Sequence, residues 1–205
     1  MIIRKYRPAD EDAVYEICLR TGRDGADATG MYLDPRLAGH VFAGPYVRLE
    51  PEFAWVLDPG DGRPPIGYVL GVLDTRAFEE RCEREWWPKL RARYPDPSGV
   101  PATERTPDQI RMHTIHHPWL APAEIVKDYP SHLHIDLLPE AQGGGNGRRL
   151  IDTLQTALAA AGSPGVHLGV SAANENAIAF YRRLGFAEVE RVPGALFMAR
   201  ELRAA

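Results

Sequence analysis

The stretch from Ala141 to Leu150, AQGGGNGRRL, sets a glycine-dense turn directly between a strand-like run and a helix-like run. Having no Cβ, Gly143, Gly144, Gly145 and Gly147 are free to take positive φ angles and to aim successive backbone N–H groups at one point. The helix expected to start near Gly147 and Arg148 adds its unpaired first-turn N–H groups and the positive end of its dipole. An anion belongs there. Charge-assisted hydrogen bonds contribute about 1.5–3 kcal/mol each, and the helix terminus about 0.3–1 kcal/mol. Three or four such bonds account for much of the ~8 kcal/mol in a micromolar dissociation constant.

The glycine spacing narrows the anion. A Walker loop needs Lys followed by Ser or Thr after its last glycine, and Arg148 and Arg149 stand there instead, which argues against nucleotide hydrolysis. A dinucleotide fingerprint starts at Gly143 and Gly145 but fails at its third glycine, which is Arg148, and the next strand-like run ends in Ser171 rather than an acid. Counted from Gln142, the pattern is QxxGxG, formed by Gln142, Gly145 and Gly147 after Leu137-Leu138-Pro139-Glu140. This resembles the coenzyme A loop of the GNAT superfamily of acyl-CoA-dependent N-acetyltransferases. Downstream, Asn174 and Tyr181 in NENAIAFYRRLGF repeat that family's NxxAxxxY element followed by GF. Read as local structure alone, Ala177, Ile178, Tyr181 and Leu184 form the apolar stripe of a helix closed by Gly185 as a left-handed cap.

The chain has 205 residues, enough for one well-cored domain over 1–205. Hydrophobic residues make up 44%, charged residues 25% and the net charge is −4, so nothing points to nucleic acid or a membrane surface as a partner. The start, MIIRKYRPADEDAV, turns charged too early for a signal peptide, and no apolar run approaches the ~18 residues of a span. A cytoplasmic protein is expected. Cys18 and Cys82, far apart and in helix-like segments, read as free thiols.

Strands are expected at Ile2 to Tyr6, Phe53 to Leu57, Ile66 to Leu73, His132 to Leu138, Val166 to Val170, Phe186 to Val192 and Ala195 to Glu201. The second and third are expected to pair as a hairpin around DPGDGRPP. Helices are expected from Pro8, over Pro35 to Ala43, over Arg148 to Ala161 and over Asn174 to Leu184. Such mixing without repeats implies an α/β fold around one mixed sheet. Family likeness adds a mostly antiparallel sheet flanked by helices. Residues 75 to 130 form a long insertion, too large for a connector and crowded with proline and aromatics. An ordered wall is expected there, with Trp86, Trp87 and Trp119 buried.

The order of GYVLGVLDT, an aromatic WWP helix, a His-containing segment and YPSHLHIDLL is similar to the C-terminal acetyltransferase-like domain of O-GlcNAcase, from about Pro35 onward. That domain lacks an intact glycine loop in eukaryotes, whereas Gln142, Gly145 and Gly147 are present here, which implies a free-standing bacterial relative able to bind acetyl-CoA. The resemblance implies roles for particular residues. Ile135, Asp136 and Leu137 would run along the acyl arm, with a backbone N–H, that of Leu137, on the thioester carbonyl. Gly143, Gly144, Gly145, Asn146, Gly147 and Arg148 would hold the pyrophosphate, Asn174 the pantetheine arm, and Tyr181 would stand near the sulfur. Direct transfer to an amine in a ternary complex would follow. The acceptor is a small-molecule amine or a protein amino group, and the assembly state is left open, a homodimer included.

A phenol of pKa about 10 protonating a thiolate of about 8.5 goes uphill by about 2 kcal/mol, so hydrogen bonding is the better role for Tyr181. Many relatives carry a Glu on the strand before the Asn, but here Gly169 precedes Asn174 by five residues and no carboxylate is at hand. Asp136, Glu140, Asp74, His116, His117 and His134 are the candidate bases, and Asp136 is taken with Tyr181 as the catalytic pair. Freeing a lysine-type amine at pH 7 costs about 4.6 kcal/mol against about 1 kcal/mol for an α-amine, which favours the latter if no base exists. His113, His116 and His117 lack an HExxH pattern and Pro118 interrupts them, so no metal is expected. The basic residues Arg81, Arg84, Lys89, Arg91 and Arg93 alternate with glutamates as on a solvated face. The rival to an enzyme is a non-catalytic acyl-CoA-binding or protein-interaction module with the same fold.

Overall fold

The computed structural model describes residues 1–202. Among them seven runs take extended backbone: β1 (Ile2–Lys5), β2 (Ala54–Asp58), β3 (Gly67–Val72), β4 (Ser131–Leu137), β5 (Gly165–Ser171), β6 (Ala187–Val192) and β7 (Ala195–Glu201). Nine segments are helical: α1 (Glu11–Thr21), α2 (Leu37–Phe42), α3 (Gly44–Leu49), α4 (Thr75–Glu85), α5 (Trp87–Arg93), α6 (Pro107–His116), α7 (Ala123–Asp128), α8 (Asn146–Ala160) and α9 (Glu175–Arg183). The strands form one sheet in the order β1-β2-β3-β4-β5-β7-β6. Every pairing is antiparallel except β4 with β5, whose ends are joined through α8.

Strand β3, GYVLGV, is buried along its whole length because helices cover both faces of the sheet. Side chains alternate across a strand, so Tyr68 faces α1, where it meets Cys18, while Gly67, Val69 and Gly71 face α8. On α8 the fully buried Leu150, Ile151, Leu154 and Leu158 lie on one face at helical spacing. They pack on β2, β3 and β4. Gly71 sets how close α8 comes: a Cβ there would stand 2.4 Å from Leu154 Cδ1. On the opposite face α1 buries Val14, Ile17 and Cys18 against β3 and β4.

The strands fall where alternation places them, within two residues at each end. Several helices do not. Pro8 opens a single 3-10 turn, and α1 begins only at Glu11. The helical run that opens the insertion at Thr75 breaks at Trp86 because Pro88 cannot continue it, giving α4 and α5. Helices α3 and α7, six residues each, carry too little periodicity to be read in advance.

The insertion is an ordered wall packed on α2 and α3. Asp108, at the start of α6, accepts from the backbone N–H groups of Leu33 and Asp34 at 3.0–3.1 Å. Tyr94 Oη donates to Asp34 at 2.7 Å, and Trp86 Nε1 donates to the His40 carbonyl at 2.9 Å. Trp87 is buried and Trp86 half-buried, but Trp119 is 58% exposed and corrects the expectation of burial. One face of its indole stacks on Phe197 with ring centres 5.1 Å apart. The other face is left to solvent.

Replacing Gly71 by Ala forces Leu154 or α8 to shift, and we expect a loss of about 1–3 kcal/mol in urea unfolding. Gly169→Ala, whose Cβ would meet Phe197 at an ordinary 3.5 Å, is expected to stay within about 0.5 kcal/mol of the native chain. Equal midpoints for the two variants would contradict this packing.

Candidate active site

Strands β4 and β5 pair only at Ser131 with Val166 and His132 with His167. Beyond that point β4 keeps its partner β3 as far as Leu137, and β5 keeps β7 as far as Ser171, so the two strands part. Leu138 N–H donates to the Ile66 carbonyl at 3.0 Å, on the β3 side. Donors alternate along a strand, so Leu133, Ile135 and Leu137 aim theirs away from β3; Leu133 serves the last rung to β5, and Ile135 and Leu137 face the gap. Gln142 Nε2 donates to the Leu137 carbonyl at 3.0 Å, tying the glycine loop to the end of β4.

In that loop Gly143 and Gly145 take φ of 80° and 75°. Gly144 and Gly147 do not adopt positive φ, which corrects the expectation for those two. Gly147 is required for a different reason: a Cβ there would lie 3.0 Å from Phe180 Cζ and 3.2 Å from Leu137 Cδ1. Helix α8 starts two residues earlier than expected, at Asn146, with left-handed Gly145 as its N-cap. Asn146 turns its side chain inward, donating to the Ala141 carbonyl at 3.0 Å and accepting from Arg149 at 3.1 Å. Only its backbone N–H remains available. From Gly143 through Arg148, six successive N–H groups donate to no acceptor among the described residues. Arg148 sits at the rim, its guanidinium donating to the Arg183 carbonyl at 3.3 Å. No Cβ would be hindered at Gly143 or Gly145, so the space in front of the loop is open. A run of six unpaired donors leading into a helix N-terminus fits a diphosphate.

Asn174 caps α9, its Oδ1 accepting from Ala177 N–H at 3.0 Å, and its amide NH2 group has no acceptor among the described residues. Tyr181, on the same helix, is buried beside Phe180 and Phe186. Burial and the nearby Asp136 charge raise its pKa, so it stays protonated. Its hydroxyl has no hydrogen-bond partner among the described residues.

Asp136 lies on the α1 face of β4. Tyr68 Oη donates to its Oδ2, and the hydroxyl of Thr21, which gives its proton to the Ile17 carbonyl at 2.8 Å, stands close by. Burial lifts the carboxyl to a pKa of about 6 against the downward pull of those two hydroxyls. Two residues earlier, His134 stacks near Tyr46 and Phe42, with ring centres 5.0 and 6.2 Å away, and has no hydrogen-bond partner among the described residues. Its pKa falls to about 4 through burial and the proximity of His167, so it is neutral at pH 7. His132 is fully engaged. Thr75 gives its proton to the Pro130 carbonyl at 2.6 Å, so His132 Nδ1–H donates to Thr75 Oγ1 at 2.8 Å and Nε2 accepts from Tyr46 Oη at 2.9 Å.

The other candidate bases are elsewhere. Asp74 caps α4 at 3.0 Å from Ala77 N–H, and Glu140 is exposed on the outer loop. His116 bonds the Tyr94 carbonyl at 2.8 Å, and His117 bonds Asp96 at 3.0 Å. Among the described residues no three His, Cys, Asp or Glu side chains group as a metal site, and no helix is long and apolar enough to cross a membrane. Cys18 and Cys82 are free and buried. Tyr68 and Thr21 were not legible as site residues, although Tyr68 shares the face of β3 that its register sets opposite Asp136.

Residues 12–186 match the model of the acetyltransferase (GNAT) family. Protein O-GlcNAcase of Rattus norvegicus and of Mus musculus are each 27% identical over 192 residues, which cover 94% of this chain but 20% of theirs. The chain thus spans about a fifth of the length of these curated relatives. The crystal structure of SsHAT is 44% identical and superposes with a TM-score of 0.91 over 98% of both chains. That of Chaetomium thermophilum Naa20 with a bisubstrate analogue is 20% identical, with a TM-score of 0.55 over 98% of this chain and 87% of that one, a likeness of fold. With the family model covering most of its length and the glycine loop set beside a parted strand pair, the chain belongs to the GNAT acetyltransferase family.

Proposed function

We propose that this chain transfers an acetyl group from acetyl-CoA to an amine by direct attack in a ternary complex. The observation that carries this reading is the parting of β4 from β5 beside six unpaired N–H groups. The donors from Gly143 through Arg148 hold the diphosphate, the free amide of Asn174 bonds the pantetheine arm, and Ile135 to Leu137 align the acyl end. Leu137 N–H, aimed into the gap, bonds the thioester oxygen as it gains charge, a contribution of about 2.7–4 kcal/mol for one well-placed donor.

Asp136 supplies the base that position 169 lacks. The amine nitrogen attacks the thioester carbon, forming the C–N bond, and its proton passes to the Asp136 carboxylate. Collapse of the tetrahedral intermediate breaks the C–S bond, and the thiolate leaves with a hydrogen bond from Tyr181. Because burial raises the Tyr181 phenol further above a thiol, the proton stays on Tyr181 and the role is stabilisation. With a pKa of about 6, Asp136 is mostly ionised at pH 7 yet basic enough to take a proton. This base favours catalysis over the binding-module reading.

A base must be deprotonated to act, so kcat/KM for an amine should fall more steeply with pH below about 6. Asp136→Asn is expected to abolish that steepening and to lower the rate by about 10²–10⁴-fold. A profile identical to the native one would remove Asp136 from the chemistry. Tyr68 acts through Asp136 as a positioning residue. Its hydroxyl pulls the carboxyl pKa down, so Tyr68→Phe should move the break to higher pH. An unmoved break would show that the hydroxyl does not tune the base.

A further inference from the structure

Arg111, on α6 of the insertion, is half-buried, yet among the described residues no carboxylate pairs with it. Its Nε donates to Tyr32 Oη at 3.1 Å, and its guanidinium carbon lies 4.8 Å from the centre of the Phe42 ring. Those contacts fix the planar group while leaving its two terminal nitrogens without a partner among the described residues. Phe42 connects it to the acceptor side of the cleft, since that ring lies 6.2 Å from His134. The positive charge also reaches Cys18, where it opposes the upward push of burial on the thiol, and Cys18 lies against the Tyr68 that holds Asp136.

Arg111, Phe42, His134 and Asp136 are all half-buried, and on the α1 face they form one wall with a cation at one end and a carboxylate at the other. An unpaired guanidinium kept partly from water, with its fork pre-set by stacking, is suited to a carboxylate. We propose that Arg111 is a specificity-determining residue that binds a carboxylate carried by the acceptor itself, so that the substrate class is amines bearing their own carboxylate. The acceptor then lies along the wall with its anion on Arg111 and its amine toward Asp136, while the neutral His134 between them adds no competing charge. The inference rests on the acetyl-transfer reading above.

The test offers the protein, with acetyl-CoA, a panel of free amino acids and the matching primary amides, and follows thiol release. The amide's amine is less basic and more of it is neutral at pH 7, so chemistry alone favours the amide. The anchor predicts the reverse: for at least one pair, kcat/KM at least tenfold higher for the acid. Arg111→Met should bring that ratio close to one, and Arg111→Lys, which keeps the charge, should retain part of it. A native ratio near one, or a ratio unchanged in Arg111→Met, overturns the proposal. Turnover of amides without acid preference would remove the anchor and leave acetyl transfer standing. If no compound releases thiol, melting temperatures with CoA present decide. A rise with an acid but not its amide, lost in Arg111→Met, supports the anchor while acetyl transfer falls. Absence of any acid-specific rise overturns the anchor.

Discussion

Backbone N–H groups that lose their strand partner must find another acceptor, or cost about 1–3 kcal/mol each where water is kept away. The parallel pairing of β4 with β5 ends at His132 and His167, and the donors of β4 beyond it face a gap. The neighbouring pairs, β3 with β4 and β5 with β7, continue on either side and prevent the gap from closing. The remainder of the site is arranged around that opening. The loop that leaves β4 reverses through two left-handed glycines and leads into the start of α8, and in the proposed function strand donors and helix donors serve one extended ligand.

Coverage of the sheet on both faces gives the opening its chemistry. Helix α8 lies close on one face because Gly71 has no side chain, and α1 covers the other, enclosing Asp136 with Tyr68 and Thr21. Enclosure raises the carboxyl toward neutrality, whereas the same charge across open water would remain strongly acidic. The insertion completes this side. Its α4 supplies Thr75, which fixes the tautomer of His132 and through it the Tyr46 hydroxyl, and its α6 supplies Arg111. A segment joining two strands of the sheet thereby lines what we propose as the acceptor side.

The glycine loop and the strands were legible because both rest on local rules: alternation of apolar residues, and φ angles open to glycine. So was the element from Asn174 to Tyr181, whose first residue caps the helix and whose last packs in the core. Tertiary contacts were not legible. Gly147 is kept small by Phe180, a neighbour 33 positions away in the chain. Asn146 is spent on the loop's own base, and Trp119 stays half in water because Phe197 covers one face. Asp136 could be chosen from six candidate bases, but the sequence offered no physical ground for the choice, since its pKa depends on Tyr68 and Thr21 from two other elements. Arg111 carried no signal at all, because an unpaired cation is defined by what fails to approach it.

The most direct test is to follow the backbone amides of the isotope-labelled protein by NMR during titration with CoA. The account predicts that the N–H resonances of Gly143 through Arg148, together with those of Ile135 and Leu137, shift and gain protection from exchange as the complex forms. Saturating CoA that leaves those amides in place, or moves a different surface instead, would contradict it.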